Sequence, residues 1–275
     1  MHALTIDNPI GITVSHAHCN SHLPPPPPSP TDAPPPAPPP LAATALLLVL
    51  LLTASSLSAG SSLTNCNRTF NCGLLVEVFY PFTGSDRPAH CGQPEFLLSC
   101  DGCYPELTAD SLTYHVLALD QTRQSLTLLR TDLYNTIARL QQYANTTLNS
   151  TIFTFASDND GLTLFCKCSN STNVNPDNLF SCEINGTETD NYHLIGAVPT
   201  DPILNGSGCN VSVTVPILRP AVTMLTAYGS TLREALMGGF EVNYTNPYED
   251  KCVMCGGIGG ERGFDLIREA HLYLC

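Results

Sequence analysis

The chain has 275 residues, a hydrophobic content of 43% and a formal net charge of −13. This charge argues against nucleic acid as a partner, because phosphate binding needs a basic face that releases counterions. A bundle of membrane helices is excluded as well, since the chain contains a single long apolar run, at residues 41–59.

The first sixty residues do not have the composition of a globular domain. Residues 1–40 form a Pro-rich extension in which 24–40 are nearly all proline, which predicts extended polyproline without a packed core. Residues 41–60 combine an apolar core with small residues, which predicts a signal peptide cleaved near 58–60. No Lys or Arg precedes Arg68 and the core starts late, so a retained signal anchor is the alternative.

Cysteine usage after residue 60 indicates an oxidising compartment. Cys19 lies alone before the apolar run, and the twelve later cysteines form an even number that suits disulfides. Eight Asn-x-Ser/Thr sequons predict N-glycosylation. The predicted disulfide cysteines are Cys66, Cys72, Cys91, Cys100, Cys103, Cys166, Cys168, Cys182, Cys209, Cys252, Cys255 and Cys275. The sequon asparagines are Asn67, Asn145, Asn149, Asn170, Asn185, Asn205, Asn210 and Asn243.

Short strands dominate the first half of the remaining chain. Runs of β-forming residues separated by turn residues predict strands at 74–80, 112–119 and 125–129. A helix is predicted between Asp132 and Ala144, because its apolar residues recur at helical spacing. That stripe consists of Leu133, Ile137, Leu140 and Ala144, and we interpret it as core.

The second half continues the β pattern. Residues 162–165 and the alternating run 211–215 predict two strands, the second ending at Pro216. Thr231 and Glu234 predict a capping box for a short helix that Gly238 and Gly239 terminate. The expected fold is therefore mainly β with a few short helices, a disulfide-rich secreted ectodomain in two parts, 61–145 and 146–275.

Motifs for catalysis or metal binding are weak. The pairs Cys100-x-x-Cys103 and Cys252-x-x-Cys255 have zinc-ligand spacing, but the oxidising context favours disulfides. The glycine-rich run 256–263 lacks the register of a nucleotide-binding loop and is predicted to be a flexible turn. The sequence contains neither Gly-x-Ser-x-Gly nor His-Glu-x-x-His nor a kinase catalytic loop. We therefore expect a non-catalytic protein without metal or cofactor.

One set of motifs resembles a known family. Cys66-x5-Cys72-Gly73, then Tyr80-Pro81-Phe82, then Cys91-Gly92-x-Pro94-x-Phe96-x-Leu98-x-Cys100 resembles the galacturonan-binding extracellular domain of plant wall-associated receptor kinases and their leaf-rust-resistance-like relatives. Later runs are similar to the same domain and to its associated C-terminal domain, so the resemblance covers nearly all of 61–275. These later runs are 114–117, 126–130, 162–168, Gly239-Phe240 and Cys252-x-x-Cys255.

The chain also departs from that family's pattern. Arg262 and Tyr273 stand where the resemblance leads one to expect cysteines, and Cys103 and Cys166 are additions. A bridge from Cys103 to Cys166 that replaces the lost pair is therefore a hypothesis that the resemblance suggests. Since the sequence stops at Cys275, before a membrane helix and kinase, we expect an ectodomain-only member, a decoy or a truncated receptor kinase.

The resemblance implies a pectic polysaccharide or oligogalacturonide as ligand, bound at the cell wall outside the cell. A polyanion and an acidic chain repel each other, so binding needs a local basic patch or bridging Ca²⁺. Tyr80 is a candidate stacking residue, and Arg87 and His90 are the candidate cations in a polar loop. Less certain cations are Arg123, Arg130 and Lys167.

Two other classes of function remain open. One is a protein-interaction module, such as a co-receptor or decoy that recognises a peptide or a receptor ectodomain. The other is a serine/threonine receptor kinase, if the gene continues beyond Cys275. A membrane partner is expected only in that case or if residues 41–59 stay as an anchor.

Overall fold

The computed structural model confirms a mainly β chain with a few short helices. Antiparallel pairing dominates because β-branched and aromatic runs alternate with tight turns. The residues that the structure describes are 66, 68–135, 144–169, 174–184, 187–196, 198, 208–227, 229–246, 261–265 and 270–274.

A hairpin and a seven-stranded sheet hold most of the first half. The hairpin consists of β1 (Phe70–Cys72) and β2 (Leu75–Val78). The sheet contains β3 (Thr83–Gly84), β4 (Leu97–Ser99), β5 (Glu106–Ala109), β6 (Leu112–Asp120), β7 (Ser125–Arg130), β8 (Phe153–Phe155) and β13 (Phe240–Tyr244). Its order is β3-β4-β5-β6-β7-β13-β8, and these bounds confirm the strands predicted over 74–80, 112–119 and 125–129.

Alternation along β6 decides which face of this sheet is buried. Tyr114 points into the core and is fully buried, whereas the next residue, His115, lies on the opposite face. The core is rich in aromatic rings. Phe82 packs edge-on against Phe96 at 5.1 Å and against Tyr244 at 5.2 Å between ring centroids. Phe82 is fully buried and belongs to this core.

A four-stranded sheet forms the second part. Its strands are β9 (Asn159–Cys168), β10 (Leu179–Ile184), β11 (Thr187–Ile195) and β12 (Cys209–Leu218), in the order β10-β11-β9-β12. Leu162, Leu164 and Val213 are fully buried between this sheet and the helices. Another hairpin, of β14 (Glu261–Asp265) and β15 (Ala270–Leu274), follows near the end of the chain.

Three short α-helices occur among the described residues: α1 (Thr131–Asn135), α2 (Arg219–Ala227) and α3 (Leu232–Met237). Single 3₁₀ turns lie at Ala89–Cys91, Pro94–Phe96 and Pro176–Asn178. The capping box of α3 is confirmed. The N–H of Glu234 donates to Oγ1 of Thr231 at 3.2 Å, and the N–H of Thr231 donates to Oε2 of Glu234 at 2.7 Å. Leu133 of α1 is buried in the second core, as its helical stripe predicts.

The two parts of the chain are tied together. β8 and β13 lie after residue 145 in sequence, yet both belong to the sheet that residues 83–130 begin. Asn159 at the start of β9 reinforces this link: its Nδ2 donates to Glu241 O at 2.6 Å and its Oδ1 accepts from Glu241 N–H at 2.9 Å. The first sheet is therefore completed by a strand that comes more than a hundred residues later.

Three disulfides join cysteines that are both among the described residues: Cys66–Cys91, Cys72–Cys100 and Cys168–Cys209. Gly73, directly after Cys72, adopts a φ of +55°, and a Cβ there would lie 2.2 Å from the carbonyl oxygen of Cys103. Glycine is therefore required directly after Cys72, because the β1–β2 turn lies too close to the main chain of Cys103 for a side chain to fit.

The hypothesis of a Cys103–Cys166 bridge is wrong. Cys103 is disulfide-bonded, but Cys166 is a buried thiol. Cys166 sits on β9 opposite Val211 and faces the second core, whereas the carbonyl of Cys103 accepts the N–H of Leu74 next to the first hairpin. The two backbones belong to different parts of the fold, so the thiol instead fills apolar space.

The prediction that Pro216 ends its strand is also wrong. β12 continues to Leu218, and Pro216 stands opposite Gly161 of β9. β12 is an edge strand of its sheet, so the side of the strand away from β9 needs no hydrogen-bond donor. A proline is tolerated there for this reason.

Several predictions fall outside the described residues. These are the extension 1–40, the leader 41–60, the later turns of the predicted helix, the glycine run up to residue 260, and the sequons at Asn67, Asn170, Asn185 and Asn205. So do Cys252, Cys255, Cys275 and the side chain of Cys182. Among the helices that the structure describes, none has the length and apolar character needed to cross a bilayer.

Candidate functional site

Arg87, the first candidate cation, does not lie on a polar surface loop. It is 6% exposed, and its guanidinium donates to the carbonyl oxygens of Arg68 and, at 2.9 Å, of Cys91. The guanidinium carbon also lies 5.8 Å from the ring centroid of Phe70. Burial lowers the pKa of Arg87 from its ordinary value, but the group stays charged. Arg87 is therefore an internal residue, and its hydrogen bonds stabilise the loop around the Cys66–Cys91 disulfide.

His90 is half-buried in the 3₁₀ turn Ala89–Cys91. It lies with the sulfurs of Cys66 and Cys91 inside a 4.8 Å cluster that has the composition of a metal site. Both sulfurs are joined in a disulfide, so neither is a thiolate that could bind a metal ion. This cluster is therefore part of the covalent framework.

Tyr80, the candidate stacking residue, belongs to another network. It is half-buried, and its hydroxyl accepts a 2.9 Å hydrogen bond from Nε2 of Gln93. The same nitrogen donates to Oδ1 of Asn246 at 2.6 Å. Tyr80, Arg87 and His90 therefore do not form one exposed patch in the structure.

The three less certain candidate cations lie in different environments. Arg130 is 1% exposed and forms a bidentate ion pair with Asp132, with its Nη2 2.8 Å from Oδ2. Because that pair is buried, Arg130 offers no charge to a ligand at the surface. Arg123 is exposed in the β6–β7 turn, where its N–H donates to Oδ1 of Asp120. Lys167 is half-buried at a φ of +54°.

An aromatic cluster that the sequence analysis missed lies on the outer face of the first sheet. It consists of Tyr104, His115 and Tyr134, and we call it the aromatic face. Ring centroids of His115 and Tyr134 are 4.9 Å apart, those of Tyr104 and His115 are 5.8 Å apart, and those of Tyr104 and Tyr134 are 6.1 Å apart. All three residues are partly exposed. Each ring is therefore held by its neighbours and still reaches solvent.

Three different elements position these rings. Tyr104 precedes β5, His115 lies in the middle of β6, and Tyr134 is on α1. Glu106 of β5 stands directly opposite His115 in the β-ladder, and its Oε1 lies 3.7 Å from Nδ1 of His115. The face therefore combines three ring surfaces, two phenol hydroxyls, an imidazole and a carboxylate.

The electrostatics of the aromatic face follow from its partial burial. Burial lowers the pKa of the His115 imidazole and outweighs the carboxylate of Glu106, which raises it. Burial and, to a smaller extent, Tyr134 raise the pKa of the Tyr104 hydroxyl. At neutral pH the imidazole is therefore neutral, and Glu106 gives the face a negative charge. Nδ1 of His115 is buried and has no hydrogen-bond partner among the described residues.

Part of the aromatic face has a sequence signal. In β6, the alternation of buried Tyr114 and Val116 places His115 on the outer face. The register that sets Glu106 opposite His115 and the approach of Tyr134 from α1 depend on tertiary structure. No local pattern could have brought these residues together.

The β1–β2 hairpin presents a second kind of surface. Leu74, Val76 and Phe79 are 49%, 70% and 49% exposed. Glu77 adopts a φ of +55° between exposed Val76 and buried Val78, and this irregularity shifts the alternation so that Phe79 also faces solvent. We call these three side chains the apolar hairpin.

A cleft of about 680 Å³ lies between α2 and β13. Its walls include Leu218, Pro220 and Asp158. Arg219 at its edge is already engaged, because its Nε lies 3.5 Å from Asp160 and its Nη2 donates to the carbonyl of Ser157. The cleft therefore offers apolar surface and acidic groups rather than an available basic group.

Four of the predicted glycosylation asparagines lie in the described residues, and all four are exposed. In one sequon, Oδ1 of Asn149 accepts hydrogen bonds from the N–H and hydroxyl of Thr151. These exposed asparagines are Asn145, Asn149, Asn210 and Asn243.

Comparison with known families identifies two segments. Residues 66–130 match the family described as wall-associated receptor kinase galacturonan-binding, and residues 167–275 match the family described as wall-associated receptor kinase C-terminal. Both segments belong to the domain families of wall-associated receptor kinases. The resemblance is thus confirmed. Tyr104 and His115 of the aromatic face and the neighbouring Glu106 lie inside the segment that matches the galacturonan-binding family.

Curated relatives from Arabidopsis thaliana agree with these matches. Leaf rust 10 disease-resistance locus receptor-like protein kinase-like 2.1 is 26% identical over 226 residues, covering 80% of this chain and 35% of the relative. The 2.5 protein is 29% identical, with coverages of 76% and 33%, and the 1.4 protein is 29% identical, with coverages of 74% and 28%. The chain spans about a third or less of these relatives' length. No solved structure matches it.

Proposed function

We propose that the chain binds pectic polysaccharide, chiefly galacturonan, as a non-catalytic recognition module on the cell-wall side of the membrane. The observation that carries this proposal is the match of residues 66–130 to a galacturonan-binding family. Disulfides and exposed sequon asparagines are consistent with an extracellular place.

The structure changes the expected mode of binding. Arg87 and Arg130 are both buried, so neither can offer a surface charge to a galacturonate carboxylate. With a net charge of −13, the chain repels a polyanion at long range. We therefore propose that contacts with sugar rings and hydroxyls, together with Ca²⁺ bridging where carboxylates are free, outweigh this repulsion.

The test is retention of the secreted, glycosylated chain on immobilised pectins that differ in methyl esterification, with and without Ca²⁺ and across a salt series. We expect saturable retention by the folded chain and none by a reduced, unfolded sample. Folded chain that passes through every pectin column would refute the proposal. Release of shorter uronide fragments during the incubation would refute its non-catalytic part.

A protein partner is a second candidate, favoured by the apolar hairpin. Three large apolar side chains about half or more exposed on one hairpin are typical of a docking surface. Val76→Asp and Phe79→Asp should then abolish capture of a receptor ectodomain while pectin retention stays unchanged. Loss of pectin retention in these two variants would instead assign the hairpin to the polysaccharide.

A further inference from the structure

The aromatic face has features that suit a sugar ring. A pyranose has an apolar C–H face and a rim of hydroxyls, and tyrosine likewise joins an apolar ring to a polar tip. Two edge-to-face contacts and one tilted contact, with centroids 4.9 to 6.1 Å apart, fix the three rings of the face before any ligand arrives. Such preorganisation reduces the entropy lost on binding.

The polar groups of the face add hydrogen-bonding capacity. The side chain of Glu106 is 43% exposed, so its carboxylate can accept hydrogen bonds from sugar hydroxyls. The phenol hydroxyls of Tyr104 and Tyr134 can donate or accept at the same surface. Recognition of neighbouring hydroxyls on one sugar needs this combination of rings and acceptors.

Charge decides which sugar unit fits. Among the ion pairs that the structure describes, the one partner of Glu106 is His115. Burial lowers the pKa of that imidazole, so it is neutral at neutral pH. A free galacturonate carboxylate next to Glu106 would therefore be repelled without a compensating cation. An esterified unit has the same ring and hydroxyls but no charge.

We propose that Tyr104, His115 and Tyr134 form a stacking site for a pectic sugar unit, and that Glu106 makes this site select units whose carboxyl group is esterified. The proposal rests on the proposed function and deepens it by naming the site and the charge state of its ligand. It assigns the rings to affinity and the carboxylate to specificity.

The experiment uses the secreted chain and two oligogalacturonides of equal length, one fully methyl-esterified and one unesterified, in titrations without Ca²⁺. Wild-type chain should bind the esterified oligomer more tightly. Tyr104→Ala and Tyr134→Ala should each weaken that binding roughly fivefold or more, the loss of one well-packed ring contact. Phe79→Ala is the control, because it removes a ring that is more exposed than either tyrosine, on the apolar hairpin, and should leave binding unchanged.

Glu106→Gln supplies a second test that does not depend on removing a ring. It keeps the size of a half-exposed side chain, so folding should be preserved. Binding of the unesterified oligomer should rise about fivefold, while binding of the esterified oligomer changes by less than about twofold, since one repulsion is removed. An unchanged ratio of the two affinities would overturn the selection by Glu106.

The outcomes separate this inference from the proposed function. If wild-type chain binds neither oligomer without Ca²⁺ but is retained on pectin with Ca²⁺, this inference fails and pectin binding stands. If the chain is retained on no pectin under any condition, both fail. If it binds and the two tyrosine variants bind like Phe79→Ala, the stacking site is wrong and pectin binding stands. Circular dichroism and thermal unfolding of every variant establish that a loss of affinity is not a loss of fold.

Discussion

Nε2 of Gln93 donates a 2.6 Å hydrogen bond to Oδ1 of Asn246, 153 residues further along the chain. Gln93 is 2% exposed and Asn246 is 4% exposed, so this bond replaces water for both groups. The same nitrogen also donates to the hydroxyl of Tyr80. One side chain thus joins the start of the 3₁₀ turn Pro94–Phe96 to the chain just after β13, the strand that completes the first sheet.

Replacing Gln93 by Met should lower the free energy of unfolding by about 1–3 kcal/mol, because it removes a buried donor from two acceptors at once. The neighbouring exposed change Glu95→Gln is the control and should stay within about 0.5 kcal/mol. Chemical denaturation of both variants measures the difference. Equal stability of the two would show that the bond contributes nothing.

The buried pair of Arg130 and Asp132 predicts a strong non-additivity. Arg130→Met leaves a carboxylate that is 2% exposed without its partner and should cost about 3–5 kcal/mol. Adding Asp132→Leu to that variant should recover most of the loss, since two apolar groups then fill the site. Denaturation of the single and double variants tests this. Additive losses would contradict the buried ion pair.

Residues 61–145 should not fold alone. They lack β13, whose Phe240, Val242 and Tyr244 are at most 3% exposed and pack into the first core. Removing that strand also leaves β7 without one of its partners. Limited proteolysis should digest the fragment rapidly under conditions that spare the whole chain. A protease-resistant fragment with a cooperative transition would refute the dependence on β13.

Stability should fall as the pH drops below about 6.5, the ordinary pKa of histidine. His193 is 3% exposed, and burial holds its pKa below that value against a hydrogen bond with the main chain of Asn178. Above pH 6.5 both states are neutral and stability is full. Below it the unfolded state takes up the proton first, so stability declines until the folded pKa is reached.

The measurement is denaturation at pH 7.5, 6 and 5 for wild type and His193→Gln. The variant should show a pH slope smaller by up to about 1.4 kcal/mol per unit, the limit for one proton. His115 remains as a second, partly buried imidazole and contributes in the same direction in both proteins. Parallel slopes would exclude His193 as a source of the pH dependence.

Thiol chemistry should distinguish Cys166 from the disulfide cysteines. Its side chain is fully buried on β9, so iodoacetamide should label it after denaturation without reductant but not in the native chain. Peptide mapping should recover Cys66 with Cys91, Cys72 with Cys100, and Cys168 with Cys209. A peptide that links Cys103 to Cys166 would contradict the structure.

Local patterns predicted the elements well because their information is local. The alternation over 211–215 correctly predicted a half-buried strand, and Thr231 with Glu234 correctly predicted the start of a helix. Both patterns depend only on residues within one helical turn or one strand pleat. The same reasoning failed for Pro216, because tolerance of proline depends on which strand is at the sheet edge.

Candidate site residues were harder to predict than elements. Arg87 follows polar residues in a loop and Arg130 ends β7, and the sequence gives no sign that carbonyl oxygens and Asp132 enclose them. The aromatic face was missed for the same reason. Its rings come from a loop, a strand and a helix that only the folded sheet brings within 6.1 Å.

By itself, the sequence determined a mainly β, disulfide-bonded chain that resembles the extracellular domain families of wall-associated receptor kinases, because cysteine spacing, alternation and capping motifs are readable residue by residue. Only the tertiary structure decided that a strand at 240–244 completes the first sheet, that two arginines are internal, and that Tyr104, His115 and Tyr134 share a surface. Burial and proximity depend on strand register and chain crossing between distant segments, which short-range patterns do not encode.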